Sequence, residues 1–372
     1  MLFRSATNLT IIVIILASID IFFANDFFVK SKAKALGVQL ICGASYFQLV
    51  QFLLSQTFLL LVTAIPVGIL ISIVLIPLLN LVLSLILASS MQIQILPSAA
   101  LATALVLLYV IFWTTILNLA YAYRNTAKNL MIDNGTGVDM RGTFNFSFSF
   151  SPAVRGIFAL VLFLAPFAGF YVDKETIFLM ALISLVGLLM CISSMLVPTL
   201  DRLIREKHIN QPLKVASLGF LRDDFRRLKK NILLLIISAI VLLSMMMSTD
   251  HPMEIMLVLV SFVVMNILQL MSIMFTLFTI ITGRIRNFRI LRFLGFLDED
   301  IDRAINHEIL LLYGGIALIG MLYLGNTSAS LIINSEQVAG LIPILITGYM
   351  VPLLVTGAVS LVYYRVYIRK HR

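Results

Sequence analysis

Lys34-Ala35-Leu36-Gly37-Val38-Gln39-Leu40-Ile41-Cys42-Gly43-Ala44-Ser45 and Arg286-Asn287-Phe288-Arg289-Ile290-Leu291-Arg292-Phe293-Leu294-Gly295-Phe296-Leu297 are two versions of one pattern within a single chain. Each sets a short basic, amphipathic stretch before a glycine and a polar residue after it, Ser45 in the first and Asp298 in the second. Such a stretch reads as a helix lying along a membrane surface, with Leu36, Leu40 and Ile41, or Ile290, Phe293 and Leu294, turned to the lipid. Gly43 and Gly295 fall where that helix must end, a position that favours a residue tolerating positive φ. The polar residue beyond is placed to cap a second helix. The expected unit is helix, sharp turn, helix, used twice.

Outward from these units the chain is almost all apolar. It has 372 residues, of which 60% are hydrophobic and 12% charged, too few charges to cover a water-soluble protein of this size. Runs of about 18 or more apolar residues can cross the bilayer as helices, which satisfy their own backbone. Nine such runs are expected, at 9–29, 55–85, 97–121, 153–172, 176–197, 231–248, 254–282, 308–325 and 339–364. Pro66 and Pro77 divide the second and predict a kinked or re-entrant helix. The fold class is therefore an all-α polytopic membrane protein.

Charge orients it. With the 30–54 break on the cytoplasmic side, alternation also places 122–152, 198–230, 283–307 and the tail from Arg365 there. Of the 27 basic residues only Arg4, Arg155 and Lys174 lie elsewhere. This is the positive-inside bias, and it puts the N terminus outside and the C terminus in the cytoplasm. The net charge of +9 thus reports topology and not a nucleic-acid partner. The breaks on the other face are short, leaving no external domain for a large aqueous ligand. No Gly-Lys-Ser or Gly-Lys-Thr loop occurs, so the chain carries no phosphate cradle and is not expected to be an enzyme. His208, His251, His307 and His371 are scattered and offer no metal-ligand spacing.

The repeated unit resembles one found in the FtsX-like and MacB-like permeases of ABC transporters, whose pattern is basic-Glu-Ile-Gly-x-Leu-Arg-Ala-Leu-Gly-Ala-Ser. Lys34, Gly37, Gly43, Ala44 and Ser45 match it in the first copy. Arg286, Ile290, Leu291, Arg292, Leu294 and Gly295 match it in the second. Ala35 and Asn287 stand where the family has glutamate. Residues 216–231, basic and amphipathic, look like the family's elbow helix.

The resemblance implies two degenerate repeats: an incomplete one over 1–122 with three spans, a connecting region over 123–199 with two, and a complete one over 200–372 with an elbow and four. It is similar in plan to the ten-span permeases that handle bacitracin and lantibiotic-like peptides, without their first span and their large external domain. It implies a subunit of the bacterial cytoplasmic membrane that couples ATP hydrolysis elsewhere to export or extraction of an amphipathic peptide or lipid-like molecule. The alternative is a subunit that transmits motion to an extracytoplasmic enzyme or sensor. Partners would be two copies of a P-loop ATPase holding ATP and Mg, membrane lipid, and a small membrane subunit in place of the missing first span; this chain would hold no cofactor or metal.

Coupling is assigned to Lys34, Gly37, Gly43, Ser45, Arg286, Arg289, Arg292, Gly295, Asp298, Glu299 and Asp300, the alternating charges suiting a complementary protein surface. His307-Glu308 stands where it would seat the second element. Asp20, an acidic residue near the middle of a span, is a candidate for a partner helix or a substrate. Ala64 and Gly68, with Gly314, Gly315 and Ala317, provide small faces for helix packing.

Overall fold

The computed structural model describes residues 11–19, 21, 32–87, 97–124, 152–171, 177–206, 211–247, 252–334 and 340–370. Among them residues 11–19 are helical, and eleven further α-helices follow. In chain order they are α1 (Ala33–Ile41), α2 (Tyr46–Leu87), α3 (Pro97–Arg124), α4 (Pro152–Gly169) and α5 (Ile177–Cys191). A five-residue π-helical turn, Ile192–Leu196, joins α5 to α6 (Val197–Glu206). Then come α7 (Pro212–Met247), α8 (Pro252–Gly283), α9 (Ile285–Phe293), α10 (Asp298–Asn334) and α11 (Ile342–Lys370). No strand occurs among the described residues.

Among the described residues seven helices are long and apolar enough to cross a membrane, against nine expected along the whole sequence. The run at 153–172 becomes α4, which Gly169 ends after 18 residues, a length of about 27 Å at the α-helical rise. It is the one shorter apolar helix among the described residues. The run at 9–29 lies largely outside them. Of the two forms expected for the second span, kinked or re-entrant, the re-entrant one needs correcting: α2 is one helix of 42 residues that carries Pro66 and Pro77 in its interior. A proline removes one backbone donor, and in an apolar helix the remaining bonds are too costly to open for the ladder to end there.

The elbow and the sixth apolar run are likewise one element. α7 runs 36 residues without a break, from its basic first half into an apolar second half.

The chain divides into two compact units, residues 14–139 and the remainder. The first is small. Leu36 of α1 packs with Leu49, Val50 and Leu53 of α2, so Leu36 faces protein and not lipid as expected, because α2 rises directly beside it. From Leu54 to Pro77 no α2 side chain is buried. Asn118 of α3 donates to Thr57 of α2 at 3.1 Å, a polar staple between the two.

The second unit is well packed. α7 touches α8 and α10, α11 touches the same two, and α4 and α5 form a hairpin beside them. Asn231 of α7 donates to Ser272 and Thr276 of α8 at 3.2 and 3.0 Å. At one end Tyr171 donates to Asn326 at 2.7 Å and Ser330 to the Phe170 carbonyl at 2.6 Å, tying the hairpin to α10. A ring cluster of Phe163, Phe167, Phe170 and Tyr323 fills the same joint. The opposite end holds the charged residues, and the candidate site lies there.

Candidate functional site: two glycine-turn elements and a buried arginine

The two elements have the same backbone. α1 and α9 are each nine residues long. Gly43 and Gly295 take φ of +92° and +90° and are the positive-φ glycines among the described residues. At each turn the N–H after the glycine reaches back five residues, Ala44 to the Gln39 carbonyl at 3.0 Å and Phe296 to the Leu291 carbonyl at 3.3 Å. The glycine N–H donates to Leu40 at 3.1 Å in one and to Arg292 at 2.9 Å in the other. This pair of bonds is the Schellman termination, which satisfies the last carbonyls of a helix when its C′ residue is left-handed. The following helices begin at Tyr46 and Asp298, three residues past each glycine.

The equivalence continues on both sides. The N-cap residues are Lys32, at φ −98°, and Arg284, at φ −92°. Seven residues before each glycine a side chain is buried, Leu36 and Phe288, and six and ten residues after it the buried pairs are Leu49 with Leu53 and Ile301 with Ile305. Such a constant register marks one structural unit used twice.

The turns are closed differently. Ser45 and Gln48 form a reciprocal capping box: the Ser45 N–H donates to Gln48 Oε1 at 2.9 Å and the Gln48 N–H to Ser45 Oγ at 3.3 Å. In the second element Asp298, Glu299 and Asp300 form the first turn of α10, where carboxylates favour the positive end of the helix dipole. Arg292 donates through Nε to Asp298 at 3.1 Å across the turn. Arg303 pairs back to Glu299 and Asp300 at 3.8 and 3.9 Å on an exposed face. Arg289 and the glycines of both turns are exposed, as are Phe293, Leu294 and Leu297. Phe293 and Leu297, 84% and 70% exposed, give this turn an apolar tip within a charged surround.

A feature hardly visible in the sequence anchors the second element. Arg284, at the joint of α8 and α9, is buried and donates to the Asp224 carboxylate of α7 and to the Glu308 carboxylate of α10. It also donates to the Phe220 carbonyl at 3.1 Å and to Tyr364 of α11 at 3.5 Å. Its guanidinium lies 4.7 Å from the Phe220 ring centre. Burial opposes its charge, but the Asp224 and Glu308 carboxylates outweigh burial and hold the guanidinium protonated, above the ordinary arginine range. Arginine suits the position because its planar fork serves two carboxylates at once. Beside it, Arg222 pairs with Asp201 of α6 at 2.7 Å, and Arg365 of α11 donates to Asn306 of α10 at 2.7 Å.

The pairing of Glu308 with the second element was foreshadowed by its place at the head of an apolar run. Arg284 and Asp224 were not, since each sits among other charges that remain on the surface.

Of the expected packing residues, Gly315 meets the Phe225 ring of α7, whereas Gly314, Ala64 and Gly68 are exposed. Ala317 is half-buried. The closest approaches lie elsewhere: a Cβ at Gly320 would fall 1.9 Å from the Tyr349 hydroxyl, and one at Gly187 would fall 2.4 Å from the Phe163 backbone. Gly37 lies within α1 and is buried. Asp20 lies outside the described residues, as do the side chains of Lys34 and Arg286. Among the described residues no cluster of His, Cys, Asp or Glu is arranged to hold a metal ion. Cys42 and Cys191 are free thiols.

Comparison with protein-family models, with characterised proteins and with solved structures returns no match.

Proposed function

We propose that this chain is the membrane-spanning coupling subunit of an ATP-driven transporter, with α1–α2 and α9–α10 as the two surfaces on which separate ATPase subunits act. The observation that carries the reading is the recurrence of one helix, left-handed glycine and helix at matching register, each copy ending in an exposed turn. A Schellman-terminated turn holds two helices at a fixed angle, so a push on the short helix tilts the long one instead of unwinding it.

The second element supports this most directly. Its base is fastened through Arg284 to α7, α10 and α11, while its tip, from Arg289 to Leu297, projects free. Motion applied at the tip therefore reaches three long helices through one joint. The cargo consistent with this frame is an amphipathic peptide or lipid-like molecule that moves along the exposed apolar helices. A second reading, in which the motion is handed to a separate extracytoplasmic protein, is favoured by the brief link between Met247 and Pro252, which leaves no room for a cargo-binding domain between α7 and α8.

Purification from native membranes in mild detergent tests the proposal. Two ATPase subunits per chain are expected, with ATPase activity that responds to candidate peptides or lipids. Triple reversal of Asp298, Glu299 and Asp300 to lysine should remove at least one ATPase copy. Wild-type chain that purifies alone, with solute flux following an ion gradient, would overturn it.

A further inference from the structure

At the joint of α8 and α9 one guanidinium is set against two carboxyl groups. The Asp224 and Glu308 side chains are 1% exposed and that of Arg284 is 8% exposed, so water compensates none of the three. With both carboxyls ionised the joint would bury one negative charge in excess, which an interior site holds only with a further cation or a proton.

The other groups around the joint do not correct the balance. On α7, Asp223 is a further negative neighbour of Asp224, and Arg222 is engaged with Asp201 of α6 and with Asp223, at 2.7 and 3.1 Å. On α10, His307 turns its Nδ1 to Ser217 Oγ of α7 at 3.4 Å. On α11, Arg365 donates to Asn306, and the Tyr364 hydroxyl donates to Glu308 Oε2 at 3.4 Å without bringing charge.

Two details point to a proton as the missing charge. The Asp224 and Glu308 carboxyls come within hydrogen-bonding reach of each other. Ionised carboxylates only accept, so this contact is a bond only when one of the two is protonated. Asp224 Oδ2 is also buried with no hydrogen-bond partner among the described residues, which leaves an acceptor open inside the joint.

We infer that the Arg284 joint is a proton-binding site, in which Asp224 of α7 and Glu308 of α10 share one proton that leaves when the two helices part. Apart, each carboxyl meets water and ionises; together, they take the proton back. The pair is the site, not either residue alone. It goes beyond the coupling role and stands or falls apart from it, since nothing in it depends on what moves α9.

Infrared spectroscopy and reversible unfolding of the purified full chain in mixed micelles test the site. At neutral pH the wild type should show a protonated carboxylic-acid band that disappears in both Glu308→Gln and Asp224→Asn, because either amide leaves Arg284 one carboxylate to pair with. Folding of the wild type takes up a proton wherever the unfolded carboxyls are ionised. From about pH 5 to 7, above the ordinary carboxylate range, its folded-to-unfolded ratio should therefore fall about ten-fold per pH unit relative to that of Glu308→Gln. Tyr364→Phe, which changes no charge, should shift the band, and an unshifted band would count against the site even where an amide variant does not fold. A band that survives in either amide variant, or parallel pH profiles of wild type and Glu308→Gln, would overturn the inference. So would a wild type without the band whose stability rises with sodium, which would give the balancing charge to a metal cation.

Discussion

At Gly43 and Gly295 a side chain would meet no neighbour, so the cost of replacing either is a backbone cost alone. Alanine at such a φ costs about 1–2 kcal/mol, and asparagine, which visits this region more readily, should cost less. Thermal unfolding of the purified protein should show that order, Gly then Asn then Ala, at both sites. Arg284 is the opposite kind of residue, held by partners and not by backbone. Arg284→Met leaves the Asp224 and Glu308 carboxylates buried together without a cation, and by the usual penalty for breaking a buried ion pair should destabilise by about 3–5 kcal/mol. Arg284→Met with Glu308→Gln removes one of the two stranded charges and should recover part of that loss, a non-additivity that a double-mutant cycle on unfolding would measure. Equal losses in the single and double variants would mean the cluster does not act as one unit.

Between elements the question is which contacts hold helices at fixed distance. α10 and α11 meet closely at Gly320 and Tyr349, whose hydroxyl donates to the Ile316 carbonyl at 3.0 Å. Gly320→Ala should cost about 1–3 kcal/mol by overpacking. Gly320→Ala with Tyr349→Phe should be milder, since it removes the atom that the new methyl would strike. The equivalent change on α2, Gly68→Ala, meets nothing within 4 Å among the described residues and should leave unfolding unchanged. The capping box at the start of α2 is a separate local lock. Ser45→Ala should cost about 1 kcal/mol and raise amide exchange in the first turn of α2 without affecting α9 and α10.

For the whole molecule the proposed coupling role requires that both glycine-turn elements emerge on one side of the membrane. Cys42 is exposed beside the first turn, and Leu297 is exposed beside the second. In a Cys191→Ser background, Cys42 and a cysteine introduced by Leu297→Cys in a chain lacking Cys42 should react with an impermeant maleimide in inside-out vesicles, and neither should react in sealed cells. Labelling from opposite sides would remove the two-handled mechanism. The sequence by itself determined the apolar helical class, the two elements and the places of their turns, because helix length, glycine at positive φ and polar caps are set by residues within a few positions of one another. It also offered nine spans where the described residues hold seven spanning helices and one shorter one, since a hydropathy run does not reveal where α4 stops or that elbow and span fuse into α7. Only the tertiary structure decided which of many surface-like charges, Arg284 and Asp224 among them, are buried together. Burial depends on residues 60 to 84 positions apart, and no local pattern encodes that.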